Sequence, residues 1–424
     1  MRPTGPRPRC PRWVGPIEWG RRWETGGVLE PGLPDEIERL SKKFEPELIE
    51  FRRALHQHPE LGRREYHTTR LVVQRLEAAG LVPRVLSSGT GVVCDIPGSS
   101  GAPPTLGLRG DIDALPLPDL KHVPYRSRVD GACHACGHDA HTAIVLGTAL
   151  VLSELQQRGL LRSSTRLIFQ PAEEITPGGA LDVLGDGEIA GLERVFALHC
   201  DPRLEVGMAG FRSGPITAGA DRIRVTMQGP GGHTARPHLT ADLVFALGAV
   251  VTQLPALLTR LADPRSGLSV VWGQIHAGAA ANAIPGSGFV EGTIRCLDAA
   301  VWEAVHGVVP DLVRSLATPF GVDVDVDMHT SVPPCVNDEA ATDWFRGVAT
   351  EVLGPAQITD TDQSLGGEDF AWILGRAPGA LARLGVRGPG VADAGDLHQG
   401  TFDIDEGAIA VGVRLFAALA AADA

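Results

Sequence analysis

At 424 residues the chain exceeds the roughly 250 to 300 residues that one hydrophobic core fills, so two domains are expected. Apolar residues at 43% and charged residues at 21% are the balance of a globular protein and exclude a disordered chain. A net charge of −13 opposes a phosphate backbone, so nucleic acid is excluded as the expected partner.

The first residues, MRPTGPRPRCPRW, lack the apolar core of a secretory signal, and residues 1–34 are expected to be a disordered N-terminal extension. Apolar Leu48, Phe51 and Leu55 recur at helical spacing over Pro46 to Leu55, and a second helical pattern runs through Leu71, Val72, Leu76 and Ala79. Short apolar runs then alternate with helical stretches: Thr105 to Leu108, the helix-like Ala140 to Leu155, Arg166 to Phe169, and Val195 to Leu198. This alternation predicts an α/β fold with a largely parallel sheet. From Gly219 the texture changes to strand Arg222–Gln228, helix Asp242–Leu261, strands Leu268–His276 and Gly288–Leu297, helix Ala300–Ala317 and strand Val322–Met328. That order, βαββαβ, predicts a ferredoxin-like module inserted at 219–329 between two parts of a first domain, 35–218 and 330–424. Helices near Asp343 to Leu353 and Glu406 to Ala421 flank a Gly-rich middle. No apolar run is read as reaching the ~18 residues of a membrane span, so no membrane partner is expected. Seven scattered cysteines, an odd number in a long chain, fit a reducing cytoplasm.

Polar groups follow the predicted strands: Arg109, Asp111 and Asp113 after the first, Gln170, Glu173 and Glu174 after the second, and His199 after the third. In open α/β sheets ligands gather beyond the carboxyl ends of the strands, so acids and imidazoles are expected on one rim. The densest cluster is Cys133-His134-Ala135-Cys136-Gly137-His138-Asp139-Ala140-His141. A redox pair would open a helix after a thioredoxin-like strand, a c-type haem needs His directly after the second Cys, and a structural zinc site needs a second close pair. None of these fits, which leaves a functional metal site. Cys136 and His138, two apart, must be presented from a loop or helix entry bent at Gly137. Cys136 as a nucleophile is the weaker alternative, because the surplus of acids suits a cation. Of Glu173 and Glu174, one can bind metal and the other act as base. His199 and His398 carry weak signals alone. His233 lies on the flexible loop 229–234, Asn282 beside a strand, and Arg295 is either a carboxylate clamp or an ordinary sheet arginine.

These segments, with Arg52-Arg53-Ala54-Leu55-His56-Gln57-His58-Pro59-Glu60, Arg109-Gly110-Asp111-Ile112-Asp113-Ala114-Leu115-Pro116, Phe169-Gln170-Pro171-Ala172-Glu173-Glu174 and Gly366-Gly367-Glu368-Asp369-Phe370, resemble the M20 metallopeptidase family. The similarity is greatest to its aminoacylase, hippurate hydrolase and auxin-conjugate hydrolase branch. The resemblance implies a zinc-peptidase-like catalytic domain interrupted by a lid and dimerisation domain. It implies two divalent ions, zinc or manganese with cobalt or nickel as alternatives, held by Cys136, His138, Glu174, His199 and His398, with Glu173 as general base. His233, Asn282 and Arg295 match positions that stabilise the oxyanion or hold the substrate carboxylate, in some members across a homodimer. The implied substrate is an N-acyl amino acid, or a short peptide if the chain is a di- or exopeptidase; a catalytically inactive binding protein is the rival from another class. Gly110, Ile175-Thr176 and Gln399-Gly400 depart from the usual pattern without removing a ligand, and Cys133 is left as a bystander.

Overall fold

The computed structural model describes residues 29–391 and 395–422. The extension expected over 1–34 lies outside the described residues up to 28. Beyond that it ran too far, because Leu29 and Leu33 are buried in the main core and the first helix already starts at Leu33, with Pro34 in its opening turn where no N–H is missed.

In chain order the main elements are α1 (Leu33–Gln57), α2 (Tyr66–Ala78), β1 (Val92–Ile96), β2 (Leu106–Asp111), α3 (His138–Gln157), β3 (Thr165–Gln170) and β4 (Arg194–Glu205). There follow β5 (Gly219–Gln228), β6 (Gly232–His233), α4 (Leu243–Leu261), β7 (Ser269–Ala277), β8 (Ala283–Ile284), β9 (Ser287–Cys296), α5 (Ala299–Ala317) and β10 (Asp323–Val332). The chain ends with α6 (Glu339–Leu353), β11 (Gly379–Arg387) and α7 (Gly407–Ala422). It forms two compact units, the smaller comprising residues 217–335 and 363–371 and the larger the remaining described residues.

The larger unit is built on an eight-stranded sheet in the order Arg84–Val85, β1, β3, β2, β4, β11, Ala209–Phe211, Ile358–Asp360. Its centre, β3-β2-β4-β11, is parallel, and β1 is antiparallel to β3. The α/β reading holds. Helix α3 is buried almost all round from His138 to Leu152 because it packs on β2 and β3 on one side and on α1 and α7 on the other. That closeness rests on Gly147, whose added Cβ would stand 2.5 Å from Leu48 and 2.6 Å from Val413.

Strand β11 went unread in the sequence, where it lay in the Gly-rich middle. It is buried along nearly its whole length between β4 and Ala209–Phe211, and its sequence, GALARLGVR, has one β-branched residue. Gly379 is required there, because a Cβ would lie 1.8 Å from the carbonyl oxygen of Val195 on β4.

The smaller unit holds an antiparallel sheet in the order β7-β9-β5-β10, with α4 and α5 packed on one face over Ile223, Val225, Met227, Val290 and Ile294. This is the βαββαβ ferredoxin-like arrangement expected. One expectation is corrected: α4, 19 residues long with a mean hydropathy of 1.6, is long and apolar enough to cross a membrane. Its stripe of Leu243, Ala246, Leu247, Val250, Leu254 and Leu258 packs instead into the core of this unit, while Val244, Phe245 and Leu261 stay exposed. Sequence hydropathy alone does not separate a core helix with an apolar outer face from a span.

Replacing Gly379 by Ala forces a methyl group into a backbone carbonyl that the sheet cannot move. The expected loss of stability is at least about 2 kcal/mol, read by chemical denaturation, and a neutral outcome would contradict the pairing of β11 with β4.

Candidate metal centre

The centre is assembled at the carboxyl ends of the parallel strands and at the start of α3. Gly137 precedes α3 with a φ of 86°, and a Cβ there would stand 2.7 Å from Cys200 Sγ, so only glycine lets the chain turn from Cys136 into His138. His138 opens the helix. Its Nδ1 lies 3.0 Å from the backbone oxygen of Asp113, to which it donates, and this leaves Nε2 facing Glu174 Oε1 at 3.8 Å and Glu173 Oε2 at 3.9 Å. His199, on β4, donates from Nδ1 to the oxygen of Cys200 at 2.8 Å and turns Nε2 to Cys136 Sγ at 3.5 Å. His398 completes the group, with Nε2 3.3 Å from Glu174 Oε1. Its own N–H donates to the oxygen of Ala135 at 2.8 Å, which ties the last loop to the cysteine loop.

Cys136, His138 and His199 bring donor atoms within 4.8 Å of one another, as do Cys136, Glu174 and His398, and His138, Glu173 and Glu174. All five expected ligands and the expected base therefore converge. His138 Nε2 is buried without a hydrogen-bond partner among the described residues, and such an orphan is costly unless something fills the space. Thiol, imidazole and carboxylate donors around that atom fit divalent cations, and two overlapping groups that share Cys136 offer donors for two.

Three groups around the donors set their state. Asp113 accepts the backbone N–H of Glu173 and of Glu174, each at 3.0 Å, and lies 3.3 Å from His138 Nδ1. Asp111 is 2.7 Å from the Arg109 guanidinium and 2.5 Å from His141 Nδ1. Burial raises the Asp111 carboxyl, but His138, Arg109 and His141 outweigh it and hold it well below the usual range. His141, although it stacks on His138, has both nitrogens occupied, since Nε2 accepts the N–H of Cys200 at 2.9 Å. Burial, then Arg383 and His141, keep His199 neutral and ready as a ligand. Burial opposes a charge on His138, yet Asp111, Asp113 and Glu174 hold its pKa up to about 10. Burial and the neighbouring acids push the Cys136 thiol up.

Asp111 and Asp113 were legible only as acids at a strand end, because the backbone amides and imidazoles they orient lie 25 to 61 residues away. Cys133 does stand apart, with Sγ 3.7 Å from Lys121 Nζ and close to His56 and Asp119. His134 is buried and pushed down to about 3 by that burial. The remaining expected residues belong to the smaller unit. Exposed His233 on β6 pairs with Ala283 of β8, and Thr234 donates its N–H to the oxygen of Asn282 at 3.3 Å, so one ribbon carries His233 and Asn282. Arg295 Nη1 donates to the oxygen of Leu365 at 3.1 Å.

Residues 107–422 match the model of peptidase family M20/M25/M40. The chain is 38% identical over 394 residues to the N-acetyl-L-cysteine deacetylase of Bacillus subtilis (strain 168), covering 93% of this chain and 92% of that one. It is 42% identical over 402 residues to a Rhodococcus jostii (strain RHA1) protein named "Putative glutamate--cysteine ligase 2-3", covering 95% of this chain but 49% of that protein, so it spans about half that relative's length. The crystal structure of Bacillus subtilis YXEP protein, described as a dinuclear metal binding peptidase from the M20 family, superposes with a TM-score of 0.77 at 33% identity, covering 90% of this chain and 98% of that one.

A protonated His138 must lose its proton before Nε2 can bind a cation. With its pKa raised to about 10 from the ordinary 6.5, that proton is present at pH 7, and the raised Cys136 thiol holds another, so cation affinity rises with pH. The expected slope is about tenfold per pH unit for each proton released. Calorimetric titration of zinc or manganese in buffers of different ionisation enthalpy measures the release, and a count of zero protons at pH 7 would refute this state of the centre.

Proposed function

This chain belongs to peptidase family M20/M25/M40, and we propose from that premise that it hydrolyses the amide bond of N-acyl amino acids, releasing a carboxylic acid and an amino acid. The observation that carries the reading is the carboxylate pair Glu173 and Glu174, both facing His138 Nε2, with Glu174 also 3.3 Å from His398 Nε2. In this reading Glu174 joins the ligand group and Glu173, its neighbour on the same turn, transfers the proton.

Two divalent cations held by Cys136, His138, Glu174, His199 and His398 would polarise the amide carbonyl and lower the pKa of a water molecule. The residues of the chain do the rest. Glu173, held at its backbone by Asp113, takes the proton of the attacking water and gives it to the leaving amine. His199 and His138 stay oriented because the second nitrogen of each donates to a backbone carbonyl. Zinc suits the thiolate and imidazole donors best, with manganese, cobalt and nickel as the alternatives for a mixed N, O and S set. In the smaller unit, His233 serves as an oxyanion donor and Asn282 and Arg295 as substrate-carboxylate contacts. Neither nucleic acid nor a membrane is a partner in this reading. All six described cysteines are free, which supports a cytoplasmic site of action.

We further propose a homodimer formed through the smaller unit, which acts as the lid. Among the described residues strand β7 is the outermost strand on one side of its sheet, and it exposes Val271 and Ile275 at 62% and 51%. Trp272 of β7 donates to the oxygen of Val251 on α4 at 3.2 Å, so that edge adjoins the helix that exposes Val244, Phe245 and Leu261. A hydrophobic edge of this kind, unpaired among the described residues, pairs with another strand unless it is covered.

Purified protein supplied with zinc or manganese is expected to cleave acetyl-, benzoyl- or indoleacetyl-amino acids in preference to dipeptides; the opposite preference supports an exopeptidase, and no turnover across the panel an inactive binding protein. Glu173→Gln is expected to retain both cations while turnover drops about 100- to 10,000-fold, and near-normal turnover would remove Glu173 from its role. The pair Val271→Asp and Ile275→Asp is expected to convert the dimer to monomers in sedimentation velocity. A wild-type chain that sediments as a monomer defeats the dimer.

A further inference from the structure

Glu65, the residue before α2, is fully buried and takes no part in the steps above. Its Oε1 accepts the backbone N–H of Ala172 at 2.7 Å. Ala172 directly precedes Glu173 and holds a φ of 56°, in the left-handed region that a residue with a Cβ disfavours. Three consecutive amides are thereby each satisfied by a buried acid: that of Ala172 by Glu65, and those of Glu173 and Glu174 by Asp113. Successive N–H groups around a left-handed residue form a concave anion site, and here the anions are the chain's own side chains. Glu65 also follows directly on a segment that is anchored at two points. Ala114 donates its N–H to the oxygen of Glu60 at 2.8 Å beside β2, and Arg63 donates to the oxygen of Gly178 at 3.3 Å and pairs with Asp182 beyond the acid turn. Arg63, Ala172 and His398 are the three non-glycine residues with positive φ among those described, and two of them lie on the two sides of this contact.

We infer that Glu65 is a positioning residue for the general base: by holding the Ala172 N–H it fixes the turn that aims Glu173, and so supports kcat without contributing to cation binding. The inference rests on the reading of Glu173 as the base. Without the acceptor, Ala172 loses the bond that offsets its left-handed backbone, and the turn relaxes toward ordinary φ. The carboxylate of Glu174 stays with its cation, and that of Glu173 is the one displaced. An error of about 1 Å in a reacting group is enough to cost on the order of a hundredfold in rate.

The test compares Glu65→Leu, which removes the acceptor, with Glu65→Gln, which keeps one. E65L is expected to lower kcat about 10- to 100-fold, with KM within about twofold and two cations still bound per chain by metal analysis. E65Q is expected to return kcat to within about threefold of wild type. Hydrogen–deuterium exchange of the amides of residues 172–174 is expected to accelerate in E65L and to stay at the wild-type rate in E65Q. Ala172→Gly in the E65L background, which relieves the left-handed backbone, is expected to restore part of the lost kcat and provides a folded comparison if E65L alone does not fold. Unchanged exchange in E65L, unchanged kcat, or a loss confined to KM or to cation binding overturns the inference. If the wild-type enzyme cleaves none of the amides, the proposed reaction falls, while the exchange measurement still decides whether Glu65 holds the turn.

Discussion

The carboxylate of Asp113 joins three segments at one point. It accepts the amides of Glu173 and Glu174 at 3.0 Å each, and it lies 3.3 Å from Nδ1 of His138, whose proton goes to the same residue's backbone oxygen. The end of β2, the turn after β3 and the first residue of α3 are thereby fixed to within a hydrogen bond of each other. Three residues of the centre depend on that junction: His138 presents Nε2 because Nδ1 is engaged, and Glu173 and Glu174 face it because their backbone is held. A hydrogen bond to a buried carboxylate is stronger than one between neutral groups, which makes the junction stiff.

A second buried charge network stands behind the first and explains motif residues outside the proposed ligand set. Asp139, next to His138, pairs with Arg52 Nε at 2.7 Å and with His56 Nδ1 at 2.7 Å. Burial works against a charged His56, yet Asp139 and Asp119 hold it up to about 10. Arg52 reaches on to Asp403 at 3.0 Å and Glu406 at 3.3 Å, so α1, the start of α3 and the segment before α7 are locked in register. Buried ion pairs are weak evidence for stability, since desolvation offsets much of their attraction, but removal of one partner leaves a stranded charge. Their effect here is to admit one arrangement of α3 against α1, and the direction of His138 follows from that arrangement.

The two units illustrate different ways of handling apolar surface. In the larger one α3 is enclosed on nearly every side, so its sequence carries little amphipathic contrast and glycines such as Gly147 set how near the neighbours come. In the smaller one the helices cover one sheet face and keep an outer surface, and α4 leaves Phe245 64% exposed. An apolar helix of that kind reads from composition as a membrane span, and only its packing on the sheet separates the two.

The sequence by itself determined the alternation of strands and helices, the βαββαβ module, and the Cys136-Gly137-His138 turn, because strand ends and such a turn are local features with local causes, whereas His199 and His398 entered only through the family resemblance. It also marked Glu173 and Glu174 as a pair at a strand end of which one can bind metal and the other act as base. The tertiary structure alone decided that Asp113 and Glu65 grip the backbone of that turn, that His141 is spent on Asp111 and Cys200, and that β11 enters the centre of the sheet. Each of these rests on a contact between residues distant in sequence or on space denied to a side chain. Glu65 and Ala172 are 107 residues apart, and no periodicity or spacing along the chain encodes a single hydrogen bond across that distance.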